Sequence, residues 1–215
     1  LGKSAVIAGV LFDEDAILSE YEDASPAALR FYREQWQLPD SVEEIRRDPA
    51  LRRQWTEKKT AYINDFTLRL ADSVRQYNPA LLTARVLHAR PVLEPESEEG
   101  FAQSLPSFVP LYDYIVVTVM STVEGEDNPE QSPGKLLRKV KATPGALPKT
   151  IFKLQSRDRK TGRPVPVKTL AVQLRQLHLA GAQNFGYAPD DYRANQPDES
   201  VIKTVISVET HPARR

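Results

Sequence analysis

The chain has 215 residues, with 29 basic and 29 acidic side chains and a formal net charge of zero. Hydrophobic residues make up 40% of it and charged residues 27%, which is typical of a soluble globular protein and excludes disordered, collagen-like and membrane compositions. The balanced charge argues against a nucleic-acid-binding protein, because such proteins usually carry a basic excess.

The absence of cysteine excludes disulfides, thiol nucleophiles and cysteine-ligated metal sites. The three histidines, His88, His178 and His211, are isolated in the sequence and leave little for a histidine-rich metal site. We therefore expect no metal and no other cofactor. The longest apolar run, residues 114–120, is strand length and far short of the roughly 20 residues that a membrane span needs.

Short apolar runs alternate with helical patterns along the chain. The predicted strands are Ala5–Phe12, Leu82–Ala89, Tyr114–Met120, Thr150–Gln155 and Asn184–Tyr187, with Val201–Val208 as a further edge strand. The first five are continuously apolar or β-branched, as expected for strands that are covered on both faces. Strand–helix alternation at this spacing indicates βαβ units, and hence an α/β fold with a parallel sheet. No domain boundary is visible, so we expect a single domain over residues 1–215.

The helical segments carry capping and periodicity signals. Ser25 followed by Pro26 is a favourable N-cap and first-turn pair. Apolar residues recur at helical spacing in two later sets: Ile63, Phe66, Leu70, Val74 and Tyr77, and then Leu170, Leu174, Leu177 and His178 before Gly181. Each set predicts a helix with one apolar face. Shorter helices are expected to begin near Pro95 and Gln131.

Three consecutive carboxylates, Asp13, Glu14 and Asp15, follow the first predicted strand directly. Parallel α/β folds place function at the carboxyl ends of their strands. Mutual repulsion and partial burial would disfavour ionisation of all three groups, and a proton donor beside an ionised carboxylate is the arrangement that glycosidases use. A solvated acidic turn explains the same residues equally well.

Arg85 and His88 stand on and after the second predicted strand. Arg85 interrupts an apolar run and therefore needs an acidic partner, either in a structural ion pair or among the strand-end carboxylates. His88 is either a hydrogen-bond donor to substrate or an ordinary half-buried histidine.

The later strands end in further polar residues. Glu124 follows the third strand, Gln155 ends the fourth, and Tyr187 comes before Asp190 and Asp191 at the end of the fifth. An aromatic ring beside carboxylates suits a sugar, although Tyr187 is equally explained as a core residue with its hydroxyl satisfied. We expect these residues to bind a polar substrate.

Several segments resemble one family, in the same order along the chain. They are Gly9–Ala16, Tyr21–Pro26, Thr83–Arg85, Pro91–Glu98, Tyr112–Asp113, Lys149–Gln155 and Phe185–Asp191. Together they are similar to the C-terminal domain of the poly-β-1,6-N-acetyl-D-glucosamine deacetylases of the PgaB/HmsF type. The segments spread over nearly the whole chain, so they are specific as a set.

The resemblance implies a (β/α) TIM-like barrel glycoside hydrolase domain that cleaves partly deacetylated poly-β-1,6-N-acetyl-D-glucosamine, a biofilm polysaccharide. The family has an acidic pair in its active site, and matched by position this pair is Glu14 and Asp15. Asp15 keeps its residue type and is expected to be the catalytic acid, with Asp13 binding substrate. The family also implies a periplasmic or outer-membrane-associated location, a deacetylase domain in the parent protein and an outer-membrane export porin as a partner.

The chain departs from the family pattern at strand ends, at Asp13, Glu14, Val86, His88, Ser121, Thr122 and Lys153. These changes leave open a non-catalytic polysaccharide-binding or scaffold module that assists polymer export. A complete barrel has eight βα units in about 250 residues, and about five units are visible here. Because the chain also begins without a methionine and almost at a strand, we expect an incomplete barrel whose upstream strands lie in a longer parent protein.

Overall fold

The structure is a computed structural model that describes residues 7–119, 132–158 and 161–206. The chain divides into two compact units, Leu1–Ile115 and Val116–Arg215. The expectation of a single domain over residues 1–215 stays a prediction.

Five strands lie in the described residues: β1 (Gly9–Phe12), β2 (Leu82–His88), β3 (Tyr114–Val119), β4 (Thr150–Gln155) and β5 (Asn184–Ala188). They form one sheet in chain order. β1 and β2 are parallel, with Phe12 opposite Arg85, and β4 and β5 are parallel, with Gln155 opposite Ala188. The predicted α/β fold with a parallel sheet is confirmed, and β2 to β5 each begin at the predicted residue.

Burial differs between the strands. β2 and β3 are buried along most of their length. β1 is partly exposed, with Leu11 54% exposed, and burial alternates along β4, where Phe152 and Leu154 are buried and Lys153 is half-buried. Strands covered on both faces are therefore found only in the middle of the sheet, and that prediction is wrong for β1, β4 and β5. β1 and β5 are the first and last strands in the sheet order, so each has one strand neighbour within the described part of the chain.

The first unit holds α1 (Pro26–Phe31), α2 (Val42–Arg47), α3 (Pro49–Arg75), α4 (Ala89–Leu93) and α5 (Leu105–Phe108), with a π-helical turn at Tyr32–Trp36 and a 3₁₀ helix at Pro95–Gly100. Ser25 caps α1 as predicted, since its Oγ accepts a hydrogen bond from the Ala28 amide. Asp48 caps α3 in the same way, accepting from the amides of Ala50 and Leu51. Local sequence signals therefore account for where both helices begin.

The core of the first unit includes an aromatic and aliphatic cluster formed by Tyr32, Leu38, Val42, Ile45 and Trp55. The Tyr32 ring stacks on Trp36 at 4.6 Å between centroids and meets Trp55 edge-on at 6.0 Å. Aromatic pairs of this geometry add to the free energy gained by burying their area. The cluster fixes the start of α3 against the segment that contains α1 and α2.

α3 buries a largely polar face, formed by Trp55, Thr56, Lys59, Thr60, Asn64, Thr67 and Ala71. The predicted apolar stripe lies elsewhere on the helix, since Phe66 is 54% exposed and Leu70 is 46% exposed. The hydroxyls of Thr56, Thr60 and Thr67 donate to backbone carbonyls one turn earlier, which allows these side chains to be buried. The helix is as predicted, but its apolar stripe is not the face that it buries.

The described part of the second unit holds α6 (Ser132–Ala142), α7 (Ala146–Lys149), α8 (Val167–Leu179) and α9 (Glu199–Ile206). α8 buries Leu170, Leu174 and Leu177, as its periodicity predicts. It ends before Gly181, whose φ of 89° lies in the region that favours glycine. Across the three described segments, every helix is too short or too polar to cross a bilayer.

The predicted edge strand Val201–Val208 is wrong, because this segment begins with helix α9. Ile202 and Val205 are three residues apart and both are buried, which is a helical period. Asp198 precedes the helix and its Oδ1 accepts from the Ser200 amide at 2.9 Å. The run of β-branched residues favours a strand locally, but the capping aspartate and packing on one face favour the helix.

Candidate active site

The acidic triplet Asp13–Asp15 forms a turn directly after β1. Asp13 and Asp15 are exposed, and Glu14 is half-buried. Within the turn, the Glu14 amide donates to Asp13 Oδ1 at 2.8 Å and the Ala16 amide donates to the Asp13 carbonyl at 3.4 Å. The expected partial burial is found only for Glu14, because β1 itself is partly exposed. The turn therefore presents two of its carboxylates to solvent, where a ligand can reach them.

Arg85 lies on β2 opposite Phe12, the last residue of β1, and is fully buried. Its Nη2 donates to the carbonyl oxygen of Ala16, at the end of the acidic turn. Burial lowers the pKa of Arg85, although a guanidinium stays charged at neutral pH. Among the described residues Arg85 has no acidic partner, and the predicted ion pair stays a prediction. The cation holds the backbone of the turn instead.

The other donors of Arg85 are unsatisfied. Its Nε and Nη1 are buried and have no hydrogen-bond partner in the part of the chain that the structure describes. Its Cζ lies 5.5 Å from the centre of the Phe108 ring, a cation–π contact. An unpaired buried donor costs about 1–3 kcal/mol, so a buried cation in this position calls for a functional explanation.

His88 ends β2 and is half-buried. Its backbone amide donates to Gln103 Oε1 at 2.9 Å, and its ring lies 5.0 Å from that of Phe101 in a tilted arrangement. These contacts agree with the interpretation of His88 as a half-buried histidine. Its predicted role in binding substrate stays a prediction.

Two of the segments that resemble the family connect elements of the first unit. The Thr83 amide and hydroxyl donate to Asp113 Oδ2 at 2.7 and 2.9 Å, and the Asp113 amide donates back to Thr83 Oγ1 at 3.3 Å. The Tyr112 hydroxyl donates to Asn64 Oδ1 at 3.1 Å and lies 2.7 Å from Thr67 Oγ1. Burial raises the pKa of Tyr112. These motif residues have structural roles, because their hydrogen bonds join the start of β2, the start of β3 and α3.

In the second unit, the end of β4 is joined to the segment after β5. Gln155 is half-buried at the end of β4, and none of the hydrogen bonds among the described residues uses its side chain. The next residue, Ser156, is buried, and its amide donates to the Ala188 carbonyl at 3.0 Å. The Ser156 hydroxyl donates to the carbonyl of Pro189. Gln155 thus stays available to a ligand, while Ser156 closes the two strands together.

Tyr187 and Asp190 interact at the end of β5. Tyr187 is half-buried and Asp190 is exposed. Burial raises the pKa of Tyr187, and the negative charges of Asp190 and Glu199 raise it further. The hydroxyl is therefore a neutral donor beside an exposed carboxylate, and this pair can bind hydroxyl or ammonium groups.

Asp191 has mainly structural contacts. Its Oδ2 lies 3.4 Å from Arg157 Nη2, and its Oδ1 accepts from the Ala194 amide at 3.1 Å. Its backbone pairs with Gln196 in both directions, at 2.9 and 3.0 Å. Asp191 was predicted with Asp190 as a substrate ligand; each of its carboxylate oxygens has one contact within the protein, and its role in binding substrate stays a prediction.

Glu124, Ser121 and Thr122 lie outside the described residues, so the predicted contribution of Glu124 to a cleft stays a prediction. Within the described part of the chain, no group of three or more histidine, aspartate and glutamate side chains could hold a metal ion.

The sequence analysis missed Lys59, which is fully buried in α3. Its Nζ donates to the Ser19 carbonyl at 2.7 Å and lies 3.9 Å from the centre of the Trp55 ring. Burial lowers its pKa to about 8, while the negative charges of Glu99 and Glu20 act in the opposite direction. A lysine among threonines gives no local sign of burial, so the sequence pattern held no signal for it.

Comparisons with known proteins identify the family of this strand-end arrangement. The family described as hypothetical glycosyl hydrolase family 13, GHL13, matches residues 1–188. The chain belongs to this family.

Two curated relatives and one solved structure agree with this assignment. The chain is 36% identical over 218 residues to the poly-β-1,6-N-acetyl-D-glucosamine N-deacetylases of Escherichia coli K12 and O157:H7. It is also 42% identical to the PgaB (BpsB) glycoside hydrolase domain of Bordetella bronchiseptica, with a TM-score of 0.89 over 96% of this chain. The resemblance to the PgaB type is confirmed, and the chain is a glycosyl hydrolase family domain of a PgaB-like protein.

The relatives are longer than this chain. The alignments with the Escherichia coli proteins include 99% of this chain but only 32% of the length of those relatives. It covers 59% of the Bordetella glycoside hydrolase domain. The residues that match the GHL13 family, 1–188, include the acidic turn, Arg85 and the end of β5.

Proposed function

We propose that this GHL13 domain is a glycosidase that cleaves partly deacetylated poly-β-1,6-N-acetyl-D-glucosamine by carboxylate acid catalysis. The observation that carries the proposal is the acidic turn at Asp13–Asp15, which follows β1 and is held by the buried Arg85. Its support from relatives is the 42% identity to a PgaB glycoside hydrolase domain and the polymer named in the description of the Escherichia coli proteins.

In this mechanism, Asp15 protonates the glycosidic oxygen as its bond to the anomeric carbon breaks, and water then adds to that carbon and returns a proton to the Asp15 carboxylate. Glu14, half-buried beside it, orients the substrate and stabilises the positive charge that develops at the anomeric carbon. Asp13 contacts the sugar from the same turn. Acidic groups also suit this polymer because its deacetylated units carry ammonium groups, and Gln155, Tyr187 and Asp190 are assigned to binding such units.

The fold proposed for the parent domain is a (β/α) barrel, of which this chain contributes about five units of eight. The chain-ordered sheet and the half-exposed β1 support it, since each strand of a barrel neighbours the next and β1 has an uncovered side. The upstream strands, the deacetylase domain, an outer-membrane export porin and the periplasmic or outer-membrane location belong to the same proposal and are supported by the relatives.

The experiment is digestion of a partly deacetylated β-1,6 oligomer by the 215-residue chain and by its full-length parent. The Asp15→Asn variant is expected to lose hydrolysis and keep polymer binding. Glu34→Gln, which changes an exposed carboxylate in the π-helical turn, is the matched control and is expected to behave as wild type. Unchanged hydrolysis by Asp15→Asn would contradict the proposal.

The second candidate is a non-catalytic polysaccharide-binding or scaffold module. The observation that favours it is the set of departures at strand ends, which includes Asp13 and His88, together with the structural use of Asp191. Saturable binding of the oligomer by the full-length parent, with no product after long incubation, would support this candidate over the glycosidase.

A further inference from the structure

One face of the β4–β5 pair carries two long polar side chains near the carboxyl end of β4. Burial alternates along this strand, with Phe152 and Leu154 buried and Lys153 and Gln155 half-buried. Because successive side chains of a strand point to opposite faces, Lys153 and Gln155 share one face and are roughly 6.6 Å apart along the strand. An ammonium group and an amide therefore stand together at the end of the strand where α/β folds place function.

The neighbouring strand leaves space beside these side chains. The parallel register places Gly186 opposite Lys153 and Ala188 opposite Gln155. A Cβ added at Gly186 would meet no heavy atom of the described residues within 4 Å, so the space over this glycine is open. Lys153 thus stands next to an open space whose floor is a strand of small residues.

Lys153 has no counter-charge in the part of the chain that the structure describes. Neither its ammonium group nor the side chain of Gln155 makes a hydrogen bond or an ion pair to any described residue. By contrast, Lys141 in the same unit donates to the Ala180 carbonyl at 2.6 Å. A half-buried ammonium group has lost part of its hydration, and an acceptor oxygen compensates for that loss. The open space over Gly186 allows a ligand to supply this oxygen.

The charge of Lys153 determines which sugar unit fits beside it. A deacetylated unit carries an ammonium group, which Lys153 repels. An N-acetylated unit is neutral, and its acetamide carbonyl is a good acceptor for a charged donor. We propose that the space over Gly186 is a subsite for an N-acetylated unit, with the Lys153 ammonium group donating to the acetamide oxygen. The choice of this polymer as the ligand rests on the proposed function.

Such a subsite makes Lys153 a specificity-determining residue. Discrimination between ligands often depends on a repulsive element as well as an attractive one, and a single cation provides both here. A stretch of polymer would bind with an acetylated unit at Lys153 and a deacetylated unit at the groups assigned to ammonium binding, which include Asp190. A fully deacetylated stretch would place an ammonium group against Lys153 and bind more weakly at this position.

The test is an NMR titration of the 215-residue chain that follows the backbone amide signals of Gly186 and Ala188. A fully N-acetylated β-1,6-linked glucosamine trisaccharide is expected to shift both signals, and the fully deacetylated trisaccharide is expected to bind there more weakly. Lys153→Met keeps a side chain of similar length without the charge. It should weaken binding of the N-acetylated sugar by about tenfold and remove most of the preference. Lys168→Met, at an exposed position on α8, is the matched control and should behave as wild type.

Gly186→Val is a second variant, which should fill the open space without disturbing the strand, because a Cβ fits there and β-branched residues favour strands. It should abolish the shift at Ala188. Signals that do not move, that respond equally to both trisaccharides, or that weaken alike in Lys153→Met and Lys168→Met would overturn the proposal. These measurements need no hydrolysis, so a retained preference without product would contradict the proposed glycosidase and support the subsite.

Discussion

The strand ends of the two units use their charged residues differently. After β1, the carbonyls of Ala16 and Ser19 accept from two fully buried cations, Arg85 and Lys59. After β5, by contrast, Asp191 is bound by Arg157, which is only partly buried. In the first arrangement the cations bind backbone carbonyls, whereas in the second a cation binds a carboxylate and holds a loop.

This difference teaches how a buried cation can order a strand end without binding its acids. A cation that binds a carbonyl orders a turn without neutralising the carboxylates it carries. A cation that binds a carboxylate orders the loop but occupies the acid. The acidic turn after β1 is therefore the better candidate for catalysis, although both segments match the same family.

The largest expected effect contrasts the acids of the two ends. Glu14→Gln should lower kcat on a partly deacetylated oligomer by about 100- to 1,000-fold, because it removes charge stabilisation in the transition state. Asp190→Asn, the exposed acid after β5, should change mainly KM. Steady-state kinetics of both variants measure this, and equal losses of kcat would remove the distinction between the two ends.

Lys59 gives the next largest effect, on stability. Its pKa is about 8 in the folded state, against the ordinary lysine value of 10.5 that applies to the unfolded chain. Between these two pH values the unfolded chain therefore binds more protons than the folded one. The free energy of unfolding contributed by Lys59 should therefore rise with pH across this window, by at most about 3 kcal/mol. Urea unfolding at about pH 8 and pH 9, where tyrosines of ordinary pKa are still largely protonated, measures it. Lys59→Met should lack the rise, and an identical rise in that variant would assign it to other groups.

Arg85→Met tests whether the buried cation serves the turn rather than stability. An apolar side chain of similar length removes two unpaired donors, so the free energy of unfolding should stay within about 1 kcal/mol of wild type. Hydrolysis should fall by about tenfold to a hundredfold, because the turn loses the bond that positions it. A destabilisation of more than about 3 kcal/mol would mean that Arg85 is paired with an acid.

Asp191→Asn should have the smallest effect. Its ion pair with Arg157 is partly exposed, so the loss should be about 1 kcal/mol or less in the free energy of unfolding. Hydrolysis should be unchanged within error, and a large loss of kcat would return Asp191 to the catalytic residues.

Much of the fold could be predicted from the sequence, because periodicity and capping are local. The bounds of β4 and the N-cap of α1 are as predicted. The β-branched pattern could not predict that α9 is a helix, because packing on one face of this segment determines its structure. The buried face of α3 could not be predicted either, because its threonine hydroxyls become satisfied only by donating to backbone carbonyls of the folded helix.

The candidate site likewise has a part that could be predicted from the sequence and a part that could not. The acidic turn and Tyr187 were visible as residues that follow apolar runs. The carbonyl partners of Arg85 and Lys59 could not be predicted, because every residue has a backbone carbonyl and the sequence does not show which one accepts. The contacts of Asp191 also depend on a loop geometry that two adjacent aspartates do not reveal.

The apolar stripe of α3 has a practical consequence for handling the protein. Phe66 and Leu70 are exposed on α3, and β1 in the same unit has one strand neighbour among the described residues. Bare apolar surface and an unpaired strand edge are the two features that promote self-association. In isolation the chain should form concentration-dependent oligomers, and its solubility at millimolar concentration will depend on covering these surfaces.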